Sequence, residues 1–148
     1  MKAITLKQPW ATAMMTLGKD VENRCWKMPA SIMGQRVAIH AGLGWDRHGG
    51  ELLAVVQNNV SRGCLLGSVV FKGFVNPRER VHAGLVAEEV EAVLRSRWAE
   101  PDSEFWWYVA EPRSLSIPIP CRGALGFWKL SDELLEKMSD DHRSEQIR

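Results

Sequence analysis

Hydrophobic and polar residues alternate with a period of two over KAITL (residues 2–6), which predicts a short strand. The next stretch, QPWATAMMTLG, changes period. Trp10, Ala13, Met14 and Leu17 recur at i, i+3, i+4 and i+7, so the spacing predicts a helix with Pro9 in its first turn and Gly18 as its stop. GKDVENRCW (18–26) returns to alternation but has no plainly apolar side. Extended, it puts Asp20, Glu22, Arg24 and Trp26 on one face and Val21, Asn23 and Cys25 on the other, with Lys19 at its entrance. Such a strand is either a solvated sheet face or the wall of a site. QRVAIHAG (35–42) predicts a third strand, with Val37, Ile39 and Ala41 opposed to Arg36, Ala38 and His40.

Further along, ELLAVVQNN predicts a short helix between Gly50 and Asn59, and CLLGSVVFKGFV (64–75) a long apolar strand with Gly67 and Gly73 at bulges or bends. The best helical stripe lies at 84–99, where Leu85, Val86, Val90, Val93, Leu94 and Trp98 oppose Glu88, Glu91 and Arg95. EFWWYVAE (104–111), LSIPIP (115–120) and ALGFWKL (124–130) read as strands, the second at an edge because Pro118 and Pro120 lack ladder donors. SDELLEKM starts a last helical turn with Ser131 as N-cap, and the polar SDDHRSEQIR after it has the composition of a disordered tail. The pattern therefore predicts an α+β fold: a small, strongly bent mixed sheet or barrel of about six strands with short helices outside, over residues 1–131, followed by the segment 132–148.

Charge and composition narrow the function classes. A chain of 148 residues with 45% hydrophobic content is one domain with a real core. The net charge of +1 is unevenly spread: residues 1–44 carry six bases and two acids, 6 − 2 = +4, and residues 132–148 carry three bases and six acids, 3 − 6 = −3. An anionic partner is therefore expected in the first third of the chain. Cys25, Cys64 and Cys121 are odd in number and show no ligand spacing, which predicts reduced thiols in a cytoplasmic protein and no metal site. No apolar run approaches a membrane span, and no leader is expected, since MKAITLKQPW reaches a proline and a charge before an apolar core could form. There is no glycine-rich phosphate loop and no serine in a G-x-S-x-G turn, so no cofactor and no serine-hydrolase chemistry are expected.

The candidate chemistry centres on the polar strand. Lys19 is able to act as a base where burial and neighbouring charge favour the free amine, with Glu22 as its partner; the alternative is a Glu22–Arg24 ion pair that only pins the strand. Lys7 and Gln8 precede the first helix, whose amides offer a seat for phosphate, or else lie in a solvated loop. Seven tryptophans are an unusual number, and Trp26, sharing a face with Glu22 and Arg24, is the best candidate for stacking on a base, whereas Trp10 lies on an apolar stripe. His40, at the end of its strand, is a candidate for the same cleft or a structural residue.

ITLKQPWA (4–11), LGKDVENRCW (17–26), GQRVAIHAG (34–42) and FWWYVAEPRSLSIPIPCRGALGFWKL (105–130) together resemble the ASCH (activating signal cointegrator homology) domain family of the PUA-like superfamily, over roughly residues 3–131. Lys19, Glu22 and Arg24 fall on the family's glycine–x–lysine–x–x–glutamate–x–arginine signature, with Leu17 at the glycine position and Gly18 next to Lys19. The resemblance implies a PUA-like β-barrel and a ligand that is RNA, DNA or a modified nucleoside, met by Lys7, Gln8, Arg24, Trp26 and His40. It also implies a second reading, a hydrolase acting on an acylated nucleoside such as N4-acetylcytidine, or a ribonuclease, with Lys19 and Glu22 catalytic. In the amidohydrolase branch a threonine stands at the position Glu22 occupies here.

Overall fold

The computed structural model describes residues 1–147. Seven strands form one mixed sheet: β1 (Lys2–Gln8), β2 (Val21–Arg24), β3 (Gln35–Trp45), β4 (Cys64–Asn76), β5 (Val81–Ala83), β6 (Phe105–Pro120) and β7 (Phe127–Lys129), paired in the order β2-β6-β4-β3-β1-β7 with β5 hung on β4. Only β1 and β3 run parallel, Ile4 opposite Ile39; the other pairs are antiparallel. The helices are α1 (Trp10–Thr16), α2 (Arg47–Leu53), α3 (Ala87–Arg95) and α4 (Asp132–Gln146). None of the described helices is long and apolar enough to cross a membrane.

The expected closed barrel is corrected to an open sheet. β2 and β7 end the hydrogen-bonded path and do not pair. The sheet nevertheless curls until its ends meet through side chains: Trp26, just past β2, and Phe127 of β7 lie 5.9 Å apart, and both pack on Trp107 of β6, at 4.7 and 6.0 Å. Phe71 joins them at 5.6 Å from Trp107, and Ile4, Ile39, Met14 and Met28 fill the rest of the concave core.

Several predicted elements differ in extent. The segments 104–111 and 115–120 are one strand, β6, kinked where Glu111 takes a φ of 50°. Beyond Val109 it pairs only with β4, so the prolines at 112, 118 and 120 lie where one side of the strand has no neighbour to bond. β5 is an additional short strand within 76–83. The stripe at 84–99 yields a helix only over Ala87–Arg95, because the Ser96 hydroxyl leaves the helix to donate to Asp20 Oδ1 and to accept from Trp98 N. α2 begins earlier than the pattern indicates, at Arg47, with Asp46 as N-cap accepting from Gly49 N at 3.0 Å. A Cβ on Gly49 would lie 2.6 Å from the Trp10 ring, and one on Gly50 2.3 Å from Trp45, so two residues that weaken a helix are what lets α2 sit against these indoles.

The polar tail is helical to Gln146, longer than the one turn expected; Arg148 lies outside the described residues. Met138, Leu134 and Leu135 pack on Leu115, Leu130 and Leu65 on the convex side of the sheet. One turn beyond, Asp141 accepts from both the backbone N and the hydroxyl of Ser116, which ties the polar half of α4 to β6.

Candidate functional site

The hollow of the curled sheet opens into a cleft of about 1180 Å³. β1 supplies Thr5 and Lys7, β2 Glu22 and Arg24, the bend after β2 Trp26, and the start of α1 Trp10; His40 stands on the wall from β3, and the segment Cys121–Gly126 closes the far side. Of the residues singled out in the sequence, Lys7, Glu22, Arg24, Trp26 and His40 line this cleft. Lys19 and Gln8 do not.

β2 answers the question its sequence poses. Val21 packs among Ala13, Val75, Val93 and Trp98, and Asn23 bonds Trp98 O at 2.8 Å and Glu100 N at 2.9 Å, so one face is covered by the α3 turn. Glu22 and Arg24 turn to the cleft, while Asp20, expected beside them, is held by Ser96. Glu22 is buried at 8% exposure between two cations: Lys19 Nζ lies 3.5 Å from Oε2 and Arg24 Nε 3.6 Å from Oε1. Neither contact has hydrogen-bond geometry, and Glu22 Oε2 and Arg24 Nε are buried polar atoms without a hydrogen-bond partner. The Arg24 guanidinium lies against two rings, 5.6 Å from Trp26 and 5.8 Å from Trp107.

Lys19 sits behind this pair. It is 4% exposed, donates to Val21 O, and has Trp10 and Trp98 at 5.5 and 5.8 Å. Gln8 is equally internal: its Oε1 accepts from Thr12 N at 3.0 Å and its Nε2 donates to Thr12 Oγ1 and Ser61 O. At the start of α1, Thr12 N is taken by Gln8 and Ala13 N by Pro9 O, and the helix is only seven residues long. Lys7, exposed, lies along Gly44 at the mouth.

His40 is engaged on both sides. A carbonyl only accepts, so Nε2 carries the proton donated to Cys121 O at 2.9 Å; the Thr5 hydroxyl then meets Nδ1 at 3.2 Å and accepts from Trp128 Nε1 at 3.1 Å. Gly123 presses on this chain. A Cβ there would come to 2.5 Å from Thr5 Oγ1 and 2.6 Å from His40 Nδ1. Thr5, Trp107 and Gly123 are contributors that no sequence pattern marks, because each acts through a contact between strands distant in the chain.

Trp10 stands at the cleft edge, its Nε1 donating to Asp46 Oδ2 at 2.9 Å. The Gly49 N–H bond, helped by the Trp10 indole and opposed by burial, holds the Asp46 carboxyl below its ordinary value. A carboxylate with a depressed folded pKa contributes stability that is present above its unfolded value and lost as pH falls through the folded one. Asp46→Asn, which keeps a capping oxygen, is therefore expected to lower the urea midpoint at pH 7 and to close that gap with wild type as the pH drops below about 4. A gap unchanged at pH 3 would contradict the assignment.

Burial raises the Cys64 and Cys121 thiols above their ordinary value, and all three cysteines are free. Asp141, His142 and Glu145 come together on α4, on the opposite side of the sheet from the cleft, with Asp141 already bound to Ser116.

No protein-family model and no curated protein sequence matches the chain. Solved structures do. The crystal structure of ASCH from Zymomonas mobilis superposes with a TM-score of 0.52 at 15% identity, covering 94% of this chain and 93% of that one. A serine-to-alanine variant of that protein gives 0.51 at 16% identity, covering 94% of each chain. A tyrosine-to-phenylalanine variant gives 0.51 at 15% identity, covering 94% of this chain and 96% of that one. The chain has the ASCH domain fold.

Proposed function

We propose that the protein is a nucleic-acid-binding or nucleoside-recognising ASCH domain, with RNA favoured over DNA, that takes one base into the cleft. The observation that carries this reading is the composition of the cleft floor. A fixed guanidinium (Arg24) and a buried carboxylate (Glu22) stand side by side next to an indole (Trp26). A donor beside an acceptor matches the polar edge of a base, and the ring supplies a stacking surface. Lys7 meets phosphate or sugar at the mouth. His40, with both nitrogens used inside the protein, shapes the wall.

The reading is tested by fluorescence titration of short single-stranded RNA and DNA at two salt concentrations. Trp26→Ala and Arg24→Ala are each expected to weaken binding about tenfold or more, in line with about 1–3 kcal/mol for a base–aromatic stack. Binding that neither substitution alters would sink the reading.

The hydrolase reading, on an acylated nucleoside or on RNA, draws on the same Lys19–Glu22 pair. Nζ donates to a carbonyl behind the floor and does not line the cleft, so Glu22 is the member that reaches a ligand. Incubation with N4-acetylcytidine and with RNA separates the two: turnover lost in Glu22→Gln supports an enzyme, and binding without turnover supports a reader.

A further inference from the structure

A nucleotide bound in the cleft needs donors for its phosphate oxygens. Cys121–Gly126 lines the far wall as one continuous strap. It is anchored at one end by Cys121, whose N donates to Gly63 O at 3.1 Å and whose O accepts from His40, and at the other by Phe127 pairing with Ile4. Between the anchors, the backbone N–H groups of Arg122, Gly123, Ala124 and Leu125 meet no acceptor among the described residues. The Arg122 side chain is exposed and, like Lys7, has no carboxylate partner among them. Gly123 lies against Thr5, two residues before Lys7 on β1, so the strap and Lys7 border the same part of the mouth.

The nearby acids are each engaged within the protein. Glu22 is flanked by Lys19 and Arg24, and Asp46, whose charge Lys7 also feels, is held by Gly49 N and the Trp10 indole. We infer that the strap Arg122–Leu125, together with Lys7, is a subsite for phosphate oxygens, so that the ligand is a nucleotide and not a free nucleoside. Unpaired amides beside a guanidinium are donors suited to the oxygens of a phosphate mono- or diester. This inference rests on the base-binding reading above and adds a separate demand on the ligand.

The experiment compares the four ribonucleosides with their 5′- and 3′-monophosphates, and with a single-stranded hexanucleotide, by calorimetric titration of the full chain. At least one monophosphate is expected to bind about tenfold tighter than its nucleoside, with the advantage shrinking as salt is raised. Arg122→Ala, at an exposed position, is expected to abolish that advantage while leaving the nucleoside's affinity unchanged. Trp26→Ala is expected to weaken both ligands alike. A monophosphate preferred to the hexanucleotide marks a free nucleotide as the source of the phosphate, and the reverse marks a strand. Equal binding of nucleoside and monophosphate, or an Arg122→Ala loss shared by both, would overturn the subsite and leave the base-binding reading standing. No binding by any of these ligands would overturn both.

Discussion

Trp107→Ala is expected to cost about 4 kcal/mol of stability, the largest loss from any single truncation in the core. Trp107 is fully buried near the start of β6, opposite Glu22 on β2 and Phe74 on β4. Its ring is the common neighbour of Trp26, Phe71 and Phe127. Removing it opens a cavity where the ends of the sheet meet and takes away one of the two rings that hold the Arg24 guanidinium. The substitution is therefore expected to lower ligand affinity as well as the urea midpoint. Trp107→Phe separates volume from polarity. It keeps an aromatic face and deletes an indole N–H that has no hydrogen-bond partner, so its cost is expected to be about 1 kcal/mol. Equal losses for the two variants would show that the indole nitrogen is satisfied in solution.

The second large effect concerns a charge. Glu22→Ala leaves the Lys19 ammonium, 4% exposed, with the Val21 carbonyl as its remaining acceptor, and is expected to cost about 3 kcal/mol. Lys19→Met is expected to cost less. Glu22 keeps Arg24 as a counterion, and a thioether fits between the rings of Trp10 and Trp98. In the double variant the losses are expected to fall short of their sum by more than about 1 kcal/mol, the signature of coupled neighbours. Chemical denaturation of the four proteins checks this. Additive losses, or a loss below about 1 kcal/mol for Glu22→Ala, would mean that the pair is hydrated and that the floor of the cleft is wetter than its burial indicates.

How much of this was legible in the sequence depended on whether the cause was local. The Trp10–Leu17 spacing marked α1, and alternation marked β1 and β3, because the periodicity of a half-buried element is written into its own residues. GKDVENRCW shows its cleft face for the same reason: Glu22 and Arg24, two apart, turn together to the cleft. The misses were set from afar. Ser96 ends α3 because Asp20 waits on another element, and α4 continues past Met138 because Ser116 receives Asp141. Gln8 reads in the sequence as a ligand contact or a solvated loop residue and is a buried brace, since its partners Thr12 and Ser61 come together only in the folded chain. Lys19 was visible as a charged residue, but its place behind the floor depends on two tryptophans that are far apart in sequence.

The edges of the sheet meet through rings and not through a ladder. A cylinder closed by hydrogen bonds widens only by breaking them, at a penalty for every buried amide left without a partner. Here the seam of Trp26, Trp107 and Phe127 carries no such bonds, and sliding one ring along another leaves every β-ladder intact. The two ends of the sheet are thus joined by three side chains, and a substitution at one of those rings alters the join without touching a ladder.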